Sequence, residues 1–268
     1  MGSYNKSQFR ATVINDFSLR REKRQIFETK TQSRTALEIR TLGHPDFEDL
    51  EIGERRTAPM VAAFIDLTNF TGRTFWDDQD EVVDLAHAVL SGFIEVVSLF
   101  GGHPLGLRGD GLFAGFSPGD PQVAASLALS ACAFTLDGIE SEVNPWLESR
   151  GIARVQARAG LDYGQTTFVR SGSSIRSEIN PLGFAANFAA KCEKKANSWE
   201  IVSGEGLTKL LPDYPYFIEH KDSPKTYQRN HERKFYKFYD YRWRNTVKHL
   251  PSAISQLNGT PASQISIN

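Results

Sequence analysis

Apolar and polar positions alternate along the chain in a few legible patterns. The run MVAAFIDL (60–67) is apolar up to one Asp and is followed by turn-forming residues, which predicts a buried strand starting near Ala58. From Asp80 to Phe100, the residues Val82, Leu85, Ala86, Val89, Phe93, Val97 and Phe100 recur three or four apart, so an amphipathic helix is predicted, stopped by Gly101-Gly102. HPLGLRGDGLFAGFS (103–117) reads as strand, tight turn, strand, because Asp-Gly between apolar runs is a hairpin signal. PQVAASLALSACAFTLDGI (121–139) predicts a second helix. Val155, Ala157, Ala159 and Leu161 alternate and predict a strand, which Gly164 is expected to break into a bent or paired ribbon. GFAANFAAKCEKKA (183–196) predicts a third helix, WEIVSGEGLTKLLPD (199–213) a strand and short helix, and the aromatic KFYKFYDYRW (234–243) a closing strand. The order β-α-β-β-α-β, then a helix and further strands, predicts an α+β fold with a ferredoxin-like split βαβ core.

The flanks differ from this centre. Residues 1–57 are polar and weakly periodic, and RREKRQIFETK (20–30) is expected to form a short exposed helix, either a solvated face or a regulatory or dimer-contacting arm. Residues 58–250 are expected to form the compact domain, and the Ser/Gln/Asn-rich stretch 251–268 a flexible tail. No internal repeat is present.

Composition narrows the function classes. The 268 residues carry a formal net charge of −1, so no basic surface argues for nucleic acid. Cys132 and Cys192 match no metal or redox spacing, which fits a reduced, cytoplasmic protein. MGSYNKSQFR has no apolar signal core, and Lys6 breaks the myristoylation pattern. No window approaches eighteen continuous apolar residues, so no membrane span is expected.

The chemistry gathers at two aspartates. Asp66 ends the first predicted strand, and Asp110, flanked by Gly109 and Gly111, sits at the tip of the predicted hairpin. In a split βαβ sheet these strands can be neighbours, which sets two carboxylates side by side. Divalent magnesium or manganese would relieve their repulsion, and two such ions activate a hydroxyl and neutralise a triphosphate. The segment LTNFTGRTF after Asp66 offers backbone N–H groups at a helix start, around Phe70 and Thr71, that can hold phosphates. Taken singly, Asp66 is equally a helix cap and Asp110 a turn residue.

These residues carry a resemblance. FIDLTNFT (64–71) and GDGLFAGF (109–116) look like the two metal-binding motifs of the class III nucleotide cyclases, and GFAANFAAK (183–191) looks like that family's helix motif. The likeness covers roughly residues 58–212. It implies that Asp66, Asp110 and the Leu67 carbonyl bind two metal ions, that Asn187 orients the ribose, and that Lys191 stands where the family has an arginine on the transferred phosphorus. It further implies a homodimer with sites at the interface. Arg229, Arg233 and Lys234 are candidates for the leaving phosphates.

The base-reading positions depart from purine cyclases. The lysine or glutamate expected four residues before the second metal aspartate is Gly106, with Arg108 two before it, and the partner position is Asn180. An arginine and an amide point to a pyrimidine. The pattern is similar to the Pycsar pyrimidine cyclases of bacterial anti-phage defence. That resemblance implies cyclisation of UTP, or of CTP, to cUMP or cCMP, and a separate effector that senses the cyclic nucleotide. Two carbonyl oxygens facing donors favour uracil. The alternatives are a cytidylate cyclase, a purine cyclase and a catalytically dead nucleotide-binding module. A diguanylate cyclase is disfavoured because the double glycine reads GGHPLG, and no P-loop is present.

Overall fold

The computed structural model describes residues 5–27, 42–117, 119–173 and 175–250, with backbone alone for 23–27. The expected tail (251–268) and the stretch 28–41 of the expected extension lie outside the described residues. In chain order the elements are α1 (Lys6–Phe27), β1 (Arg55–Thr68), α2 (Phe70–Trp76), α3 (Gln79–Leu99), β2 (His103–Arg108), β3 (Gly111–Phe116), α4 (Pro121–Gly138), α5 (Asn144–Glu148), β4 (Gln156–Gly172), β5 (Ser177–Leu182), α6 (Phe184–Lys195), β6 (Ile201–Gly204), α7 (Glu205–Thr208), β7 (Phe217–Glu219), β8 (Lys225–Arg229), β9 (Glu232–Tyr236) and β10 (Phe238–Tyr241).

The main sheet has the order β2-β3-β1-β4-β6-β10-β7, with β5 paired to the far half of β4, while β8 and β9 form a separate hairpin. β3 is inserted between β1 and β2, which makes this the expected split βαβ core. The pairing is antiparallel apart from β4 with β6. Strand periodicity gives β1 two different faces. Val61, Ala63, Ile65 and Leu67 join the large core under α3 and α4, whereas Met60 and Ala62 join a smaller cluster with Ala186 and Ala189 of α6. Burial on both faces explains why MVAAFIDL is continuously apolar rather than alternating.

Three expectations change. The N-terminal region is not merely a solvated extension: α1 runs for 22 residues and buries Phe9, Val13 and Phe17 against the core. A Cβ added at Gly92 or at Gly138 would lie 2.6 or 2.7 Å from the Phe9 ring, so two glycines form its seat. Those apolar positions, four apart, were hidden by the charges between them. Second, β4 passes through Gly164 without a break; a Cβ there would lie 3.2 Å from Ala185, so the glycine makes room for α6. Third, the aromatic run 234–243 is not one strand. It divides at Lys237 between β9 and β10, which belong to different sheets.

Two helical stretches, Gln79–Leu99 and Pro121–Glu148, are long and apolar enough to cross a membrane by length and composition, which the search for continuous apolar runs did not reveal. Here 56% and 72% of those windows are buried inside the protein, as core helices are.

Candidate active site

The ladder sets the two aspartates together. β1 and β3 pair with Asp66 opposite Gly111, so the hairpin tip carrying Asp110 abuts the end of β1. The Leu67 N–H donates to the Asp110 carbonyl at 3.3 Å. Gly109 has φ +64°, the left-handed conformation that a tight turn needs and that glycine adopts freely. A Cβ at Gly111 would lie 2.8 Å from Asp66 Oδ1, so this glycine keeps that carboxylate oxygen clear. Burial, and then the charge of Asp66, raise the Asp110 pKa above its ordinary value, while Arg158 opposes the shift. Two half-buried oxygen donors that repel one another, with one oxygen left accessible, suit a hard divalent cation. Among the described residues no three His, Cys, Asp or Glu side chains converge to hold a metal unaided. A cation here would take its further ligands from backbone carbonyls, water or a bound anion.

Two residues overlooked in the sequence complete this end of the sheet. Arg158 pairs across the ladder with Asp66, and its Nη2 lies 3.1 Å from Asp66 Oδ2. The same nitrogen lies 2.6 Å from Glu193 Oε1 of α6, an ion pair without hydrogen-bond alignment. Burial holds the Glu193 carboxyl above its usual range; Arg158 pulls it down, and the neighbouring Asp66 pushes it up again. The signal was present but faint: Arg158 falls on the opposite face from Ala157, Ala159 and Leu161, which is the face of Asp66.

Phe70 and Thr71 open α2, directly after Asn69, whose left-handed backbone (φ 59°) turns the chain and whose side chain makes no cap. The Phe70 ring is buried in the core, so Phe70 can offer a ligand only its backbone, while Asn69 and Thr71 are exposed.

The rest of the expected site lies elsewhere in the chain. On α6 the residues Ala185, Ala189, Cys192 and Glu193 turn toward the sheet, and Phe184, Asn187, Lys191 and Lys195 are exposed on the outer face. The helix backbone lies directly on β4, because a Cβ at Gly160 would strike Glu193 N and Ala189 O. Asn187 and Lys191 thus face away from the Asp66 of their own chain. Lys191 Nζ instead donates to the Tyr227 hydroxyl at 3.1 Å. Asn180 on β5 pairs with Val169, whose partner on β1 is Arg55. That is eleven residues from Asp66, or about 35 Å along the strand.

Arg108, at the end of β2, is exposed and folds back on its own strand. A Cβ at Gly106 would lie 3.7 Å from its Nη1, so the guanidinium occupies the space above the missing side chain. Arg229, Arg233 and Lys234 lie exposed on the β8–β9 hairpin. None of the three lines the cavity of about 490 Å³ beside α6, whose cations are Lys191, Lys194, Lys195 and Lys225.

The sheet order, with aspartates at the adjoining ends of β1 and β3, is the fold of the class III nucleotidyl cyclases. The adenylyl cyclase CyaB of P. aeruginosa superposes with a TM-score of 0.60 at 19% identity, covering 70% of this chain and 95% of that one. By sequence the similarity runs to pyrimidine enzymes: the chain is 25% identical over 178 residues to a cytidylate cyclase of Escherichia coli, and 24% identical over 173 residues to one of Staphylococcus aureus. Each match takes in 63% of this chain, which spans about two fifths (38% and 41%) of the length of those relatives. No family model matches the chain.

Proposed function

We propose that this protein is a pyrimidine nucleotide cyclase that converts UTP to 3′,5′-cyclic UMP and pyrophosphate. The observation that carries the reading is Arg108 folded over Gly106, beside the hairpin that presents Asp110. In this reading the guanidinium and the Asn180 amide of the partner subunit meet the base. Asp66, Asp110 and the Leu67 carbonyl would hold two divalent ions, Mg²⁺ or Mn²⁺, which supply a lowered pKa for the ribose 3′-hydroxyl and neutralise the triphosphate. Phe70 and Thr71 would donate backbone N–H groups to phosphate oxygens. Asn187 orients the ribose, and Lys191 meets the charge that develops on the transferred phosphoryl group. Arg158 holds Asp66 from the side away from Gly111.

Because Asn187 and Lys191 face away from Asp66 in one chain, the reading requires a homodimer, each site taking aspartates from one protomer and the α6 residues from the other. We place it in the cytoplasm, as the cyclase arm of a Pycsar-type anti-phage system whose separate effector binds the cyclic product.

The two relatives favour a second reading, CTP to cyclic CMP. The Asn180 amide, reversed, accepts from the cytosine amine. Initial rates with UTP, CTP, ATP and GTP in manganese distinguish the readings. A buried donor left unpaired costs about 1–3 kcal/mol, so the preferred pyrimidine should lead by roughly five- to hundredfold. Fastest turnover of CTP selects the second reading. Fastest turnover of ATP or GTP, or unimpaired turnover by Asp110→Asn, overturns both.

A further inference from the structure

Lys191 stands where the family motif has an arginine, and its surroundings offset part of that difference. Its ammonium donates to Tyr227 Oη at 3.1 Å and lies 5.0 Å from the centroid of the Tyr227 ring. Tyr227 belongs to β8, and Phe184, two turns before Lys191 on α6, meets its ring edge-on at 5.7 Å. The hairpin is fastened to the same helix a second time: the Tyr236 ring on β9 lies 4.7 Å from Phe184 and 4.6 Å from Phe188. Tyr236 is anchored from below, where its hydroxyl donates to the buried Asp162 at 3.0 Å. The Tyr227 ring is therefore packed on the helix that also carries Lys191, on a hairpin that Tyr236 joins to the same helix, whereas the lysine that reaches its hydroxyl is a point charge on a flexible four-carbon stem.

We propose that Tyr227 is a positioning residue, whose hydroxyl aims the Lys191 ammonium along the outer face of α6 so that a lysine serves where an arginine's planar fork would orient itself. The proposal rests on the cyclase reading, in which Lys191 meets the reacting phosphate. Tyr227 takes one of the three ammonium donors and leaves two for phosphate oxygens. The ring face adds a weak attraction for the cation without consuming a donor.

Tyr227→Phe removes the hydroxyl and keeps the ring. With the preferred nucleotide, kcat should fall about tenfold or more and KM should change less than about threefold, because misdirected charge is felt chiefly in the transition state. In a Lys191→Arg background the same substitution should cost less than about twofold, since the arginine fork brings its own geometry. One readout needs no turnover: the NMR order parameter of the Lys191 ε-methylene, in the full chain, should drop in Tyr227→Phe. An unchanged order parameter, an unchanged kcat, an effect on KM alone, or equal losses in the Lys191 and Lys191→Arg backgrounds each overturn the positioning role. An inactive Lys191→Ala beside a fully active Tyr227→Phe overturns it alone. A Lys191→Ala variant that cyclises at the wild-type rate overturns the cyclase role of Lys191 as well.

Discussion

Asp162 shows how one buried acid ties the site to stability. It is fully buried on β4, accepting from the Tyr236 hydroxyl at 3.0 Å and from the Leu207 N–H at 3.3 Å. Burial pushes its pKa up from 3.8 to about 7, against the pull of these donors. A carboxyl whose folded pKa lies above its unfolded one binds its proton more tightly in the folded state, so stability falls as pH rises from about 4 to about 7 and then levels. The full penalty is on the order of 4 kcal/mol at the upper end. Asp162→Asn should flatten this slope and be more stable than the wild type at pH 8, with little gain at pH 5. Urea midpoints at both pH values test it, and an unaltered slope in the variant would remove Asp162 as the cause. Among single residues, the sequence marked Asp66 and Asp110 through glycines and apolar neighbours. Asp162 and Arg158 sit in ordinary strand alternation, and only the packing around them gives them a charge problem.

Helix α1 is where local pattern and packing diverge most. Its composition is polar, yet Phe9 is fully buried and meets Phe134 edge-on at 6.2 Å. Phe9→Ala should cost about 3–5 kcal/mol, the range for emptying a buried aromatic site. Chemical denaturation of the full chain measures this; a loss below about 1 kcal/mol would mean that α1 docks only loosely. The glycines that seat Phe9 lie in α3 and α4, far along the chain, so nothing near residue 9 announces the contact. The reverse holds for α3 itself, whose large apolar residues Val82, Leu85, Val89, Phe93 and Val97 keep the three-and-four spacing of one buried stripe.

At the scale of the whole molecule, the residues assigned to the site in the cyclase reading are not brought together within one chain. Asp66 is paired with Arg158, which Glu193 shares, while Asn187 and Lys191 lie on the outer face of α6. The composite-site reading makes a quantitative prediction. Asp66→Ala and Lys191→Ala chains, each inactive alone, should recover about a quarter of wild-type activity when mixed at equal ratio, since random pairing gives half mixed dimers with one intact site each. Mixed dimers that form, shown by differently tagged chains, and stay inactive would refute a shared site.

The sequence by itself determined the split βαβ order, the strand ends that bear Asp66 and Asp110, and the helix that bears Asn187 and Lys191. Each of these is written in local periodicity and turn chemistry, which act over a few residues. It also showed that Gly106 and Arg108 stand close together before Asp110. Only the tertiary structure decided that the Arg108 guanidinium lies beside Gly106, that Arg158 links Asp66 to Glu193, that Tyr227 holds Lys191, and that Lys225 rather than Arg229, Arg233 or Lys234 lines the cavity beside α6. These contacts join elements tens of residues apart. Strand register and helix seating create them, and neither is encoded in any single window of the chain.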